Sequence, residues 1–367
     1  MHAGPAPHSV RVYIGTYTGP RSQGIYTAWF DPSNGSLTTP ELAAVTKNPT
    51  FLALHPKRPL LYAVEETADF GNTGQGAVSA FSVDAQTGKL LLLNQQPSAG
   101  TGPCHLCVDS TGSCVLVANY NSGSIASFPI EADGRLGSAA STIQHQGSSI
   151  NRDRQSGPHA HFITPDPDDR FALVCDLGVD KVFTYRLLPP GKPTTLRPND
   201  LPPLTITPGS GPRHLAFAPN GHIVYLINEL ASTICVLDYD AAAGTLKEIQ
   251  TVSTLPADFK AANIAAEVQV HPSGRFVYGS NRGHDSIAVF AVDAQTGRLS
   301  FIERQASLGR TPRHFTLDPD GQWLVVENQD SNRIVVFRVN QATGELTPAG
   351  HEVELSAPVC LVFWNRP

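Results

Sequence analysis

A unit of about fifty residues recurs along this chain of 367 residues, and a period of that size constrains the architecture before any side chain has a role. The clearest copies read GPRHLAFAPNGHIVYLINEL from Gly211, AAEVQVHPSGRFVYGSNRG from Ala265 and TPRHFTLDPDGQWLVVENQD from Thr311. Fainter copies begin at Asn48, Gly102 and Gly157. Each copy holds four short β-rich runs, such as LAFAP, HIVYLIN and STICVLDYD, with the fourth after a turn like AQTGRL. Turns of the PNG, PSG and PDG type separate the first two runs, as tight reversals between antiparallel strands require. No segment sustains the apolar period of a helix, so the chain reads as all-β.

Six copies start at Pro49, Pro103, Pro158, Pro212, Ala265 and Pro312, with about 46 to 55 residues each. Ahead of them, VYIGTYT, GIYTAWF and the run near Leu42–Val45 supply three strands. Behind them, PVCLVFW supplies one strand of the first-strand type. Three plus one completes a seventh sheet. The sequence therefore predicts a seven-bladed β-propeller with four antiparallel strands per blade, closed by the C-terminal strand joining the N-terminal blade. An open solenoid would carry atypical capping repeats at its ends, whereas these termini are complementary. One propeller domain is expected over 10–367, after a disordered leader over 1–9. The Pro-rich stretch from Leu187 to Pro208 is expected as an elaborated outer strand or loop of the fourth blade.

The net charge of −6 argues against nucleic acid or an anionic membrane as a partner, so any anionic ligand must be held by local arginines. The N-terminus lacks the charged segment and apolar run of a signal peptide, and no stretch nears the ~20 apolar residues of a membrane helix. The six cysteines fall mostly among aliphatics in predicted strands, which suits reduced, buried thiols in a cytoplasmic protein. Cys104 and Cys107 form a C-x-x-C, but on a strand they point to opposite faces, and no second pair completes a zinc cage.

In a propeller blade the first strand lies along the central channel and the second returns antiparallel. The start of one and the end of the other open on the same face. His105, His159, His161, Arg213, His214, Glu267, Arg313 and His314 stand at the starts. At the ends, one column reads Glu65, Asn119, Asp176, Asn228, Asn281 and Asn328, and its recurrence points to backbone bonding rather than chemistry. The next column reads Glu66, Tyr120, Leu177, Glu229, Arg282 and Gln329, and it varies from blade to blade, as functional positions would. Arg213 and Arg313 share a third column with His159, Thr50 and Cys104. The planar fork of Arg213 and Arg282 suits a phosphate or carboxylate, or else a salt bridge to a neighbouring Glu. His159 suits a general base or acid, or a hydrogen-bonded junction. Glu229 and Glu267 suit polarising a water, or neutralising the arginines. His159 and His161 put two imidazoles on one strand face, too few ligands for a metal site, and none is expected.

GPHAHF, GPRHLAF, NEL, AAEVQVHPSGRFVYGSNRG and TPRHF stand in that order, after VYIGTYT and GIYTAWFDPSNGSLT. This series resembles the seven-bladed lactonase family of 6-phosphogluconolactonase, which also includes fungal carboxy-cis,cis-muconate cyclase. The resemblance spans nearly the whole chain. It implies hydrolysis of 6-phospho-D-glucono-1,5-lactone to 6-phosphogluconate, without a cofactor. It also implies a site of one His, two Arg and one Glu, which fall on His159, Arg213, Glu229 and Arg282. Glu267 matches an acidic position at the start of the sixth blade. His161, His214, Glu267, Arg313 and Asp176 are expected to complete the binding of a small anionic sugar lactone. The arginines would hold the anion and steady the oxyanion, while His159 or Glu229 activates water. A muconate-type cyclase or another sugar lactonase fits the same residues, and a non-catalytic binding platform fits the fold alone. A monomer or weak homo-oligomer is expected.

Overall fold

The computed structural model describes residues 8–188 and 194–364. The leader expected over 1–9 lies, through residue 7, outside the described residues. Those residues contain strands and no helix. Seven antiparallel sheets form the blades. Blades two to seven open with the inner strands Leu52–Leu54, Pro103–Val108, Ala160–Pro165, Pro212–Phe217, Ile264–Val270 and Pro312–Leu317. Blade one takes its inner strand, Pro358–Trp364, from the far end of the chain, paired antiparallel with Val10–Thr16. Neighbouring inner strands touch all the way round, and Pro358–Trp364 meets both Pro312–Leu317 and Leu52–Leu54. The ring is thus closed by the C-terminal strand, as the complementary termini require.

Two blades depart from four strands. In blade one the outer strand is split into Ser36–Leu37 and Glu41–Val45, and in blade four into Leu196–Pro198 and Leu204–Thr205. Pro40 interrupts the first and Pro202 and Pro203 the second, because proline has no N–H for the ladder. The stretch from Leu187 to Pro208 thus holds the outer edge of blade four, apart from residues 189–193, which lie outside the described residues.

The core is divided among seven apolar clusters, one at each junction between neighbouring blades. Both faces of the second strands are covered, so runs such as Cys114–Asn119, Phe171–Asp176 and Trp323–Asn328 are buried throughout rather than alternating. At four junctions a buried tyrosine latches one blade to the next. The hydroxyls of Tyr13, Tyr62, Tyr225 and Tyr278 donate to the carbonyls of Gly88, Gly134, Gly297 and Gly344 at 2.9–3.1 Å. Each acceptor glycine sits at positive φ in the last turn of the following blade. The turn needs that conformation, and the close approach leaves no room for a side chain: a Cβ on Gly344 would lie 2.4 Å from the Phe276 ring.

At the channel mouth the inner strands of blades three to seven share a second irregularity. The pairing with the next strand slips by a residue, leaving Cys104, His161, Arg213 and Arg313 unpaired in blades three, four, five and seven. In blade six the slip takes in Ala266 and Glu267. Such bulges re-aim a side chain at the end of a ladder. They also correct a column read from the sequence. GPHAHF holds one residue more than GPRHL before its aromatic or aliphatic position, so His161, not His159, is the counterpart of Arg213 and Arg313.

Candidate active site

The column that varies from blade to blade follows the second strand of each blade, and one backbone bond fixes it. The N–H of Glu66, Tyr120, Leu177, Glu229 and Gln329 donates to a carbonyl just ahead of the blade's own inner strand, at 2.7–3.0 Å. Tyr17 makes the same bond to Ala357, which places it as the seventh member of the column. The sequence hid this because the inner strand of blade one lies some 340 residues away, in the C-terminal segment.

This column and the bulge residues converge on one cavity of about 250 Å³ at the channel mouth. Its wall is formed by Tyr17, Glu66, Cys104, Tyr120, Asn121, Arg154, His161, Glu229, Ile264, Arg282 and Arg313. Every blade contributes. Arg154 comes from the connection between blades three and four, which has no counterpart in the other copies, and no repeat-based signal could have found it. A turn over 151–155 holds it, closed by the Gln155 N–H to Asn151 O at 2.7 Å.

Glu229 is the hub. Its Oε1 accepts from Arg154 at 2.6 Å, and its Oε2 accepts from Arg213 Nε at 2.9 Å and Arg282 Nη2 at 2.8 Å. Burial alone would raise its pKa. The Arg282, Arg213 and Arg154 charges overcome that and hold the carboxyl well below the usual range. Arg213 is buried behind this wall, with Nη1 donating to Ala266 O at 2.8 Å. Arg282 reaches the wall, and its buried Nε has no partner.

His159 lies just outside the wall, half-buried and stacked on Tyr120, with ring centroids 4.5 Å apart. Its Nδ1 is 2.9 Å from the Tyr120 carbonyl, which can only accept, so Nδ1 carries a proton, and in the neutral ring the lone pair is on Nε2. His161 lines the cavity, and its buried Nδ1 has no partner. Burial, reinforced by Arg213, drives its pKa well below 6.5, so it is neutral.

His214 and Glu267 stand behind His161 and not on the wall. The His161 and His214 rings are 5.1 Å apart, and His214 Nδ1 meets Glu267 Oε2 at 2.8 Å. His314 continues the chain to Glu327 at 2.8 Å. Burial raises Glu267 to about 8 and lowers His314 to about 3, so this buried cluster is uncharged at neutral pH. Asp176 also lies away from the wall. It is fully buried, accepting from the backbone of His159 and Gly178 and pairing with His145 at 2.6 Å. Asn119, Asn281 and Asn328 in the same column donate to the carbonyls of Ser98, Thr254 and Ser307 at 3.0–3.2 Å, each tying its blade to the end of the preceding blade's outer strand. Among the described residues no three His, Cys, Asp or Glu side chains group as metal ligands would.

A family model described as a seven-bladed β-propeller lactonase matches residues 11–363. A 6-phosphogluconolactonase of Bacillus subtilis (strain 168) is 40% identical over 354 residues, covering 96% of this chain and 98% of the relative. A 6-phosphogluconolactonase of Formosa agariphila is 31% identical over 318 residues, covering 84% of this chain and 86% of the relative. Among solved structures, the periplasmic gluconolactonase of Pseudomonas aeruginosa matches with a TM-score of 0.91 at 33% identity, covering 98% of this chain and all of that one.

Proposed function

We propose that this chain, which belongs to the seven-bladed β-propeller lactonase family, is a lactone hydrolase acting on 6-phospho-D-glucono-1,5-lactone. The observation that carries this reading is the charge at the mouth. Four guanidinium groups, those of Arg154, Arg213, Arg282 and Arg313, stand with two carboxylates, Glu66 and Glu229. The excess of two positive charges sits in a protein of net charge −6. It matches a phosphate monoester, which carries about −1.5 to −2 at neutral pH.

The chemistry follows from which groups remain available. Water attacks the lactone carbonyl carbon, and the carbonyl oxygen becomes an oxyanion. Arg282 Nη1, which none of the side chain's hydrogen bonds engages, stabilises it at the cavity wall. His159 Nε2 accepts the proton from water and returns it to the ring oxygen as the carbon–oxygen bond breaks. Glu229 is a poor base because three guanidinium groups hold its charge, and its role is to fix their positions. We place the enzyme in the cytoplasm, a reading supported by six cysteines with no disulfide. A monomer or weak homo-oligomer is supported because one chain completes the cavity.

The test is hydrolysis of the phosphorylated lactone, corrected for spontaneous opening, by the unmodified protein and by His159→Gln and His161→Gln. A general base contributes about 10²- to 10⁴-fold, so His159→Gln should lose that much in kcat with the fold intact. A loss confined to His161→Gln would move the base to the cavity floor. Absence of turnover by the unmodified protein would end the lactonase reading.

A further inference from the structure

The cavity holds two kinds of arginine, and they differ in how many donors are engaged. Arg213 gives Nε to Glu229 and Nη1 to Ala266 O, and it does not reach the wall. Arg154 gives Nη2 to Glu229 and to the Tyr120 hydroxyl. Arg282 gives Nη2 to Glu229 and Ala265 O, keeping Nε without a partner. Arg154 and Arg282, with Arg213 behind them, form one locked side of the cavity.

Arg313 lies on the wall in blade seven, next to the blade of Arg282, and is half-buried. Its guanidinium carbon lies 5.3 Å from the centroid of the Tyr17 ring, and it makes no hydrogen bond or ion pair among the described residues. Tyr17 is itself fixed. Its hydroxyl donates to Glu66 at 2.9 Å, and Glu66 takes a further bond from Thr50 Oγ1 at 2.6 Å. The carboxylate is thus satisfied by hydroxyls and not by the neighbouring cation. A ring face holds a guanidinium plane without using its N–H groups, so all five donors remain for a ligand. The bulge in blade seven aims this side chain at the mouth. An oriented, unengaged guanidinium in a small cavity is a built receptor for a planar or tetrahedral anion.

We infer that Arg313, held over Tyr17, is the specificity-determining residue that binds the phosphate of the lactone, while Arg282 on the neighbouring blade serves the reacting carbonyl. This rests on the lactonase reading for the identity of the substrate, but not for the existence of an anion site.

The experiment compares the unmodified protein with Arg313→Gln and Arg313→Lys, using 6-phospho-D-glucono-1,5-lactone and unphosphorylated D-glucono-1,5-lactone. Calorimetric binding of inorganic phosphate is measured beside it, and thermal midpoints check each fold. Truncating one partner of a buried charged pair should lower kcat/KM for the phosphorylated lactone about a hundredfold in Arg313→Gln. The unphosphorylated lactone should change by less than about threefold, because it offers Arg313 no charge. Arg313→Lys keeps the charge but not the fork and should fall between. Phosphate binding should be lost in Arg313→Gln. Equal losses on both lactones, or phosphate affinity unchanged by the substitution, would overturn the inference. If the unmodified protein opens neither lactone, the functional reading fails, and phosphate binding still decides the anion site.

Discussion

Glu229 holds more of the site together than any other single residue. It is a buried carboxylate shared by Arg154, Arg213 and Arg282. Removing its charge leaves three guanidinium groups packed together with no counter-ion. Glu229→Gln keeps the shape, so its effect is electrostatic. Breaking a buried ion pair by loss of one partner costs about 3–5 kcal/mol, and urea unfolding should show a loss of that order. A change below about 1 kcal/mol, the range of an exposed pair, would mean that the hub is not what orders the arginines. Arg213, Glu229 and Arg282 were legible in the sequence because they depart from positions that the other blades share. Arg154 was not, since it lies in a connection with no counterpart in other copies. Tyr17 was half-visible: its column was read, but its blade is assembled from both ends of the chain. His159 and His161 exchanged places because one extra residue in GPHAHF is absorbed by a bulge, and spacing alone cannot show where an insertion is absorbed.

At the scale of elements, the last turn of four blades serves as a wedge against the preceding blade. The turns of type AQTGRL were plain in the sequence as strand reversals. Their second role was not, because the tyrosine that meets Gly344 lies 66 residues earlier, in a different copy. Two glycines separate conformational strain from packing. Gly344 and Gly350 have φ of 80° and 77°, so alanine is strained equally in both. A Cβ at Gly344 meets the Phe276 ring at 2.4 Å, whereas at Gly350 nothing lies within 4 Å. Gly344→Ala should therefore be less stable than Gly350→Ala by about 1–3 kcal/mol, the usual cost of overpacking. Chemical denaturation of the two variants makes the comparison, and equal stabilities would show that the junction has slack. The strand count was legible except where prolines split an outer strand, a detail that changes the edge and leaves the ring intact.

For the whole molecule, the channel behind the cavity sets a pH dependence of stability. Burial lowers His105, His161 and His214 well below 6.5, and His314 to about 3. Below 6.5 the unfolded chain binds protons that the folded chain refuses, so acid destabilises the fold down toward the folded values. Burial raises Glu267 to about 8 and Glu327 well above the usual carboxylate value of 4.5. Above 4.5 the folded chain keeps protons that the unfolded chain has released, so stability falls as pH rises toward 8. Four histidines outweigh two carboxylates on the acid side, and only the carboxylates act above 6.5. Thermal midpoints should peak near about pH 6.5 and fall on both sides. Glu267→Gln should flatten the decline between pH 7 and 8, and an unchanged slope in that variant would assign the decline to other groups.

Every blade lends at least one side chain to the cavity wall, and those side chains occupy positions separate from the ones that make the apolar packing between blades. The closing of the ring and the recognition of a ligand are therefore written in different columns of the same repeat. Outside the Glu229 cluster, a substitution at the mouth thus leaves the apolar packing of the junctions untouched. Such a molecule can change its substrate by small, independent steps, since each new specificity needs a new residue at the mouth and not a new scaffold.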